Sequence, residues 1–443
     1  MWRRFNDKAR EISEATPKER DRYADFLRVA ALGVVVVGHW LAPHLTVVAT
    51  GVRLRLVHGM AEPLQWVTWF FQVMPIFFFV GGMVNALSWA SARSGDEQSY
   101  VDWLRRRARR LLWPLVPLLV VWTVAAPLMD ALGMQTAHVS RASHAMLYPI
   151  WFLAAYLCVV AAAPVAYGLH RRLGWIALVG FAAAAAIVDA LVWMGIEEAG
   201  WLNFLFVWGA IHQAGFFWHD RGLPGRSLVG VGIAVVALVG LWVLVSFSPY
   251  APTMVATGFE ERPNDLPPSV ALLGLAVAQF GVIAALRRPL ERWLHRPWPW
   301  AVVSLGGQRL MTVYLWHMTA LVVVALAVVP TEIWPLPARP DTTWWLWRIP
   351  WVVLLAAVLA LLVALFGRLE QSSTSPPRVG DRWWYGPMVL VATGLVVFAI
   401  ARLMLDGLYD GGGVAGLAWS SLLALALGLW GLGVFSARSS NTS

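Results

Sequence analysis

An all-α fold that crosses a membrane many times is what this sequence predicts, and three observations predict it. Of 443 residues, 59% are hydrophobic and only 13% are charged, a balance outside the range of soluble globular chains. The apolar residues gather in runs close to the ~20 residues a spanning helix requires. Arginines crowd into alternate connections between those runs, the bias that sets orientation in a bilayer.

The apolar runs fall at about 24–43, 64–90, 111–132, 147–169, 173–194, 201–218, 227–248, 268–287, 301–329, 344–366, 385–405 and 413–435, which predicts about twelve helices. Residues 1–22 precede them as a basic, amphipathic lead with Arg3, Arg4, Lys8, Arg10, Lys18, Arg20 and Arg22. With this lead in the cytoplasm, the inner loops carry Arg93, Arg105–Arg110, Arg171, Arg172, Arg221, Arg226, Arg287, Arg288, Arg292, Arg296, Arg368, Arg378, Arg382 and Arg438. The opposite loops hold most of the acids, among them Glu62, Asp130, Glu197, Glu198, Glu260, Glu261, Asp265, Glu332, Asp341 and Asp410. Arg53, Arg55, Arg141, Arg262 and Arg339 are the exceptions. Both termini are expected in the cytoplasm. The stretch from 249 to 267 reads as a proline-rich external loop, and SARSSNTS as a polar tail. The 28 tryptophans often flank apolar runs, as interfacial anchors do.

Other classes of function lose support. The formal charge of +9 follows the topology rather than a nucleic-acid footprint. A single cysteine, Cys158, offers neither a disulfide framework nor a thiolate cluster. There is no phosphate-binding glycine loop, no dinucleotide fingerprint and no metal-ligand spacing, so no metal is expected. The first apolar run is of spanning length and follows a charged lead, so a cleavable signal is not expected.

The first run, RYADFLRVAALGVVVVGHWL from Arg22 to Leu41, carries Asp25, Arg28 and His39. Ionisable groups are costly in a spanning helix and face protein or a wet cavity. Arg28 and His39 are eleven residues apart, about three full turns, so they share a face ~16 Å apart along the axis. Asp25 lies one turn before Arg28 and can pair with it. In SLGGQRLMTVYLWHM, His317 lies thirteen residues beyond Ser304, as His39 lies fourteen beyond Asp25, which predicts a common depth of ~20 Å. Tyr314 adds a hydroxyl one turn before His317. A neutral imidazole in such a chamber is a candidate general base, and a buried histidine tied to a backbone carbonyl is the plainer alternative.

Three further patterns stand out. Arg105, Arg106, Arg107, Arg109 and Arg110 precede the third run. They read either as a positive-inside anchor or as an anion site at a helix N-terminus, with Arg107 and Arg110 on one face. Gly81 and Gly82 in PIFFFVGGMVNALSW expose backbone to a neighbouring helix or to a slim ligand chain. Trp151 and Tyr156 in YPIWFLAAYLC belong to an interfacial belt or to a sugar-stacking platform.

Taken in order, these motifs resemble the membrane acyltransferase-3 family, the multi-spanning enzymes that O-acylate envelope polysaccharides, glycolipids and some antibiotics. The likeness rests on Arg28 and His39 in DFLRVAALGVVVVGH, on FFFVGG, on Arg107-x-x-Arg110 running to Pro114, on Trp151-Phe-Leu, and on LGGQRLMTVYLWH ending at His317. It covers residues 22 to about 366. The resemblance implies a ten-helix acyltransferase core over 23–366, with 367–435 a C-terminal helix pair and 436–443 a tail. It also implies that His39 is the catalytic histidine, Arg28 its partner, and Arg107 and Arg110 the donor-side arginines. Gly81 and Leu310 stand where many members have a hydroxyl residue, so no serine nucleophile is assigned there.

The expectation is an O-acyltransferase of the plasma membrane that moves an acyl group, acetyl being expected, from cytosolic acyl-CoA to a hydroxyl of an envelope carbohydrate or glycolipid. His39, Arg28, His317 and Tyr314 are the expected catalytic set, and Arg106, Arg107 and Arg110 the donor set. Trp151 and Asp25 are the expected substrate contacts. Base catalysis and an acyl-histidine relay both remain open. The rival is a permease for lipid-linked sugars, which the absence of evident internal repeats or broken helices disfavours.

Overall fold

A computed structural model describes residues 2–48, 51–60, 62–94, 99–222, 227–257, 260–331, 334, 336–337, 339–371, 376–377, 379 and 383–436. Of the charges used to orient the loops, Arg226, Glu332, Arg378, Arg382 and Arg438 lie outside the described residues, as does most of the tail.

In chain order the helices are α1 (Trp2–Glu14), α2 (Arg22–Leu41), α3 (Glu62–Phe71), α4 (Met74–Ser94), α5 (Tyr100–Leu112) and α6 (Leu115–Ala131). Next come α7 (Thr136–Leu147), α8 (Trp151–Leu173), α9 (Trp175–Trp193), α10 (Asn203–Arg221), α11 (Ser227–Phe247) and α12 (Val270–Leu294). The chain ends with α13 (Pro297–Gly307), α14 (Leu310–Val328), α15 (Thr342–Gln371), α16 (Tyr385–Asp406) and α17 (Trp419–Gly431). An antiparallel hairpin of β1 (Pro43–Val48) and β2 (Gly51–Leu56) follows α2, with Pro43 opposite Leu56. The class is all-α and multi-pass, as the apolar runs predict.

Among the described residues nine helices are long and apolar enough to cross a bilayer, ten if the pair α5 and α6 is one span bent by 44°. Two of the twelve predicted runs therefore fall short. The run at 201–218 becomes α10, which has the length but carries Asn203, His212 and Gln213, all buried. It is an internal helix with little lipid-facing surface. The run at 413–435 becomes α17, only 13 residues, or ~20 Å against a hydrocarbon core of ~30 Å. The run at 301–329 is two helices, α13 and α14, parted at Gln308 and Arg309. The bend between α5 and α6 has a local cause. Pro114 has no N–H, and its ring crowds the carbonyl four residues back, that of Arg110.

The chain forms two compact units. The first contains Met1–Leu87, Val165–Leu310 and Leu336–Trp345, and the second Ser88–Pro164, Met311–Pro335 and Leu346–Ser443. In the first, α4 and α10 cross at their backbones. A Cβ on Gly82 would overlap the carbonyl oxygen of His212 and lie 3.0 Å from the Gly215 Cα. Gly82 of FFFVGG thus serves helix packing, with Phe78 and Phe79 buried beside it. Phe78 stacks on Trp208 at 4.4 Å, and the Asn85 amide donates to His212 Nε2 at 2.9 Å. Gly230 of α11 and Gly281 of α12 make a second crossing of this kind, the small-residue contact typical of membrane helices. In the second unit, α17 lays Gly428 against the Ala392 carbonyl of α16.

The connection from 249 to 269 is more ordered than a proline-rich loop requires. Asn264, buried, donates to the carbonyls of Ala251 and Thr253, both at 2.7 Å, and accepts from Ser269 Oγ at 2.8 Å. Asp265 accepts from the Ala256 N–H at 3.0 Å, and Glu260 from the Thr253 hydroxyl at 2.6 Å and the Thr257 N–H at 2.9 Å. Burial pushes the Asp265 carboxyl up to about 7. Burial acts on Glu260 in the same sense, but the bonds from Thr253 and Thr257 hold it below its ordinary value. A carboxyl raised by folding favours the folded loop while protonated. That contribution is complete at low pH and is lost as pH rises from about 4 to about 7. Glu260 acts oppositely, its contribution vanishing only as pH falls below the ordinary carboxylate range. Amide protection at Ala256, corrected for intrinsic exchange, is expected to fall across pH 4–7, and Asp265→Asn to flatten that slope. An unchanged slope in the variant rejects the assignment.

Candidate active site

The first unit holds Asp25, Arg28 and His39 on α2, a helix bounded by clear signals. The Asp21 carboxylate caps its start, accepting from the Ala24 N–H at 2.9 Å, and Pro43 follows its end. Its neighbours fix its rotation. The Tyr23 hydroxyl donates to the Ile283 carbonyl of α12 at 2.7 Å, and Phe26 meets Trp293 edge-on at 5.9 Å. Arg22 donates to the Leu294 carbonyl at 3.1 Å, and Val29 lies under Gly306 of α13. Asp25 sits between Arg20 at 2.7 Å and Arg28 at 3.7 Å. Its carboxylate is thus engaged by the protein's own arginines, a position suited to orienting Arg28. Arg28, Leu32, Val35 and His39 form one stripe of the helix, with Leu32 and Val35 buried and both polar ends half-buried. His39 lies in the last turn, and Gly38 beside it leaves room for the Phe71 ring of α3.

The second unit holds the remaining candidates. The five arginines of α5 divide between two faces. Arg105 and Arg109 are buried and serve the C-terminal region. Arg105 donates to the Pro377 carbonyl at 2.9 Å, and Arg109 to those of Gly433 at 3.0 Å and Ser436 at 2.6 Å. Arg106 and Arg107 are half-buried and Arg110 is exposed, the face suited to an anion. One expectation is corrected here. Ser99 caps α5, so Arg107 and Arg110 occupy its C-terminal half. The guanidinium groups therefore complement the negative end of the helix dipole, and no set of free N–H groups assists them.

Tyr314 and His317 lie near the start of α14. The Tyr314 hydroxyl donates to the Pro149 carbonyl, and Phe152 packs on its ring edge-on at 5.7 Å. Its proton is committed to the backbone, which makes it a brace for the segment that begins α8. Trp151 is half-buried at that start. His317 is fully buried, and its Nδ1 donates to the Tyr314 carbonyl at 2.5 Å. That bond selects the tautomer in which Nε2 is the basic nitrogen. The count that put His317 level with His39 ran from Ser304 and crosses the break at 308–309. His317 is seven residues into α14, and equal depth does not follow from helix rise.

Sequence reasoning missed the residue that anchors α14. Glu370, at the far end of α15, accepts from the Met311 N–H at 3.2 Å, the Thr312 N–H at 2.9 Å and the Thr312 hydroxyl at 2.6 Å. It serves as the N-terminal cap of α14, supplied from 58 residues away. Three bonds to a carboxylate at a positive helix end stabilise by about 2 kcal/mol. Glu370→Ala is expected to lower the thermal denaturation midpoint in detergent, with Glu370→Gln intermediate. Equal midpoints for the wild type and the alanine variant count against the cap.

Residues 21–369 match the acyltransferase-3 family model, described as an acyltransferase domain. It begins at the cap of α2 and ends at α15, leaving α16 and α17 beyond it. No curated protein and no solved structure matches the chain. The match takes in α2 with Arg28 and His39, α5 with its arginines, and α14 with His317, and so covers most of the chain. The chain belongs to the acyltransferase-3 family and is a multi-pass membrane acyltransferase.

Proposed function

We propose that this acyltransferase moves an acyl group, acetyl in the first instance, from cytosolic acyl-CoA to a hydroxyl of an envelope carbohydrate or glycolipid. The observation that carries the reading is the stripe on α2, with Arg28 at one end and His39 in the last turn. His39 takes the proton of the acceptor hydroxyl. The freed oxygen attacks the thioester carbonyl, and the C–S bond breaks to release the CoA thiolate, which takes up the proton. Arg28, oriented by Asp25, supplies fixed positive charge within the membrane. The face of α5 bearing Arg106, Arg107 and Arg110 suits phosphate groups, for which guanidinium is the better partner. Trp151 presents an aromatic surface to the acceptor, and His317 Nε2 a second basic atom. The arginine bias of alternate loops supports both termini in the cytoplasm, and an acceptor in the envelope a plasma-membrane location.

Purified protein with labelled acetyl-CoA and an envelope glycolipid extract tests the reading. Label appearing on the glycolipid supports it, and intact thioester with unlabelled glycolipid overturns it. In that assay the Arg107→Ala, Arg110→Ala double variant is expected to raise KM for acetyl-CoA about tenfold or more with a smaller change in kcat. Such a split marks lost ground-state binding. An unchanged KM removes these arginines from the donor site.

A further inference from the structure

A cavity of about 390 Å³ in the first unit has no part in the chemistry above. Its walls come from the end of α9 (Asp189, Trp193), the turn after it (Glu197, Trp201) and the ordered loop (Tyr250, Arg262). Its volume lies in the ~300–1,000 Å³ range of small-molecule sites.

The cavity is built on a buried knot. The Asp189 carboxylate accepts from the Asn203 amide at 2.7 Å, the Tyr250 hydroxyl at 2.6 Å and the Val270 N–H at 2.8 Å. One side chain thereby ties α9, α10, the loop and the start of α12. Tyr250 is further fixed by Trp193, edge to face at 4.9 Å. Trp193 and Trp201 remain 40% and 50% exposed, so broad aromatic surface is available beside polar groups. Besides the engaged Asp189, three carboxylates line the cavity, Glu197, Glu198 and Glu261, against one cation, Arg262, which lies 3.7 Å from Glu197.

We infer that this cavity is an acceptor subsite for a neutral or amino sugar. The inference rests on the acyl-transfer reading for its place in the reaction. A sugar ring offers a C–H face and an edge of hydroxyl donors, which aromatic rings and carboxylates complement. Surplus carboxylate selects against uronate or phosphate groups by like-charge repulsion. A belt of interfacial tryptophans accounts for the aromatics but not for the concave carboxylate wall. The loop that lines the cavity is also fastened near His39. Trp69 Nε1 donates to the Pro252 carbonyl at 2.7 Å and Gln72 Nε2 to that of Met254 at 2.8 Å. Between them Phe71 fills the space over Gly38. Acceptor bound in the cavity therefore rests on the loop that holds the end of α3, whose Phe71 packs on Gly38 of α2.

The test is equilibrium binding of three probes, methyl glucoside, methyl glucosaminide and methyl glucuronide, to the full chain in detergent by saturation-transfer NMR. The first two are expected to bind, with the glucuronide at least about tenfold weaker. Trp201→Ala is expected to weaken glucoside binding about five- to tenfold. The Glu198→Gln, Glu261→Gln variant alters only exposed side chains and is expected to narrow the discrimination to about two- to threefold. No glucoside binding, equal binding of the glucuronide, or unaltered binding in both variants overturns the subsite. Consumption of acetyl-CoA by the wild type is measured separately. Its absence overturns the acyl-transfer reading while the binding data still judge the cavity.

Discussion

Replacing His39 with alanine is expected to lower acyl transfer by about 10²–10⁴-fold, the usual contribution of a positioned acid–base group. The loss appears in kcat, with KM for acyl-CoA little changed, because the imidazole acts on the transferring proton and not on the donor's phosphates. The helix itself survives the change. Most of the contacts that set α2 are made in its first two turns, by the Asp21 cap, the Tyr23 bond to Ile283 and the Phe26 contact with Trp293, and at its end Phe71 packs on Gly38. His39 lies in the last turn. Membrane insertion and monodisperse extraction are therefore expected to match the wild type. Trapping of labelled protein after acetyl-CoA alone separates the two chemistries. Label lost in the variant and present in the wild type favours an acyl-histidine, and none in either favours direct attack. A variant within tenfold of wild-type transfer removes His39 from the mechanism.

The limits of α2 were legible because local chemistry sets them. A capping aspartate and a proline fall at either end, and the helix runs from Arg22 to Leu41 as the sequence reading has it. The division of the α5 arginines was only half legible. A period of 3.6 puts Arg105 with Arg109 and Arg107 with Arg110, but which face packs is decided by Gly433 and Ser436, more than 320 residues away. Glu370 as the cap of α14 is 58 residues from Thr312, and Asp189 as the knot beneath the cavity is 61 from Tyr250 and 81 from Val270. Hydropathy also fails at α10, whose polar residues pair inside the protein, His212 with Asn85 and Asn203 with Asp189. The break before α14 hides in a run whose composition stays apolar throughout. What the sequence could not show was partnership across long separations, and the cavity depends on several such partnerships at once.

Gly82→Ala is expected to be among the most damaging methyl additions at the described helical glycines, rivalled by Gly215→Ala on the other side of the same crossing. The new Cβ would occupy the position of the His212 carbonyl oxygen, with the Gly215 Cα 3.0 Å away. Both obstacles are backbone, so neither can rotate aside, and α4 and α10 must separate. The same movement pulls apart the Phe78–Trp208 stack and stretches the 2.9 Å bond between Asn85 and His212. Overpacking of this kind costs about 1–3 kcal/mol, and weakening the Asn85–His212 bond adds about 1 kcal/mol. The total of about 2–4 kcal/mol is a large part of the ~5–15 kcal/mol that holds a typical protein folded. Gly180→Ala is the matched control, since a Cβ there meets nothing within 4 Å and the residue is exposed on α9. The two variants make the same chemical change in the same kind of helix, so helix propensity cancels between them and only the crossing differs. Gly82→Ala is expected to lose most of its monodisperse yield after detergent extraction, and Gly180→Ala to keep it. Equal yields would mean that the α4–α10 crossing is looser than these contacts describe.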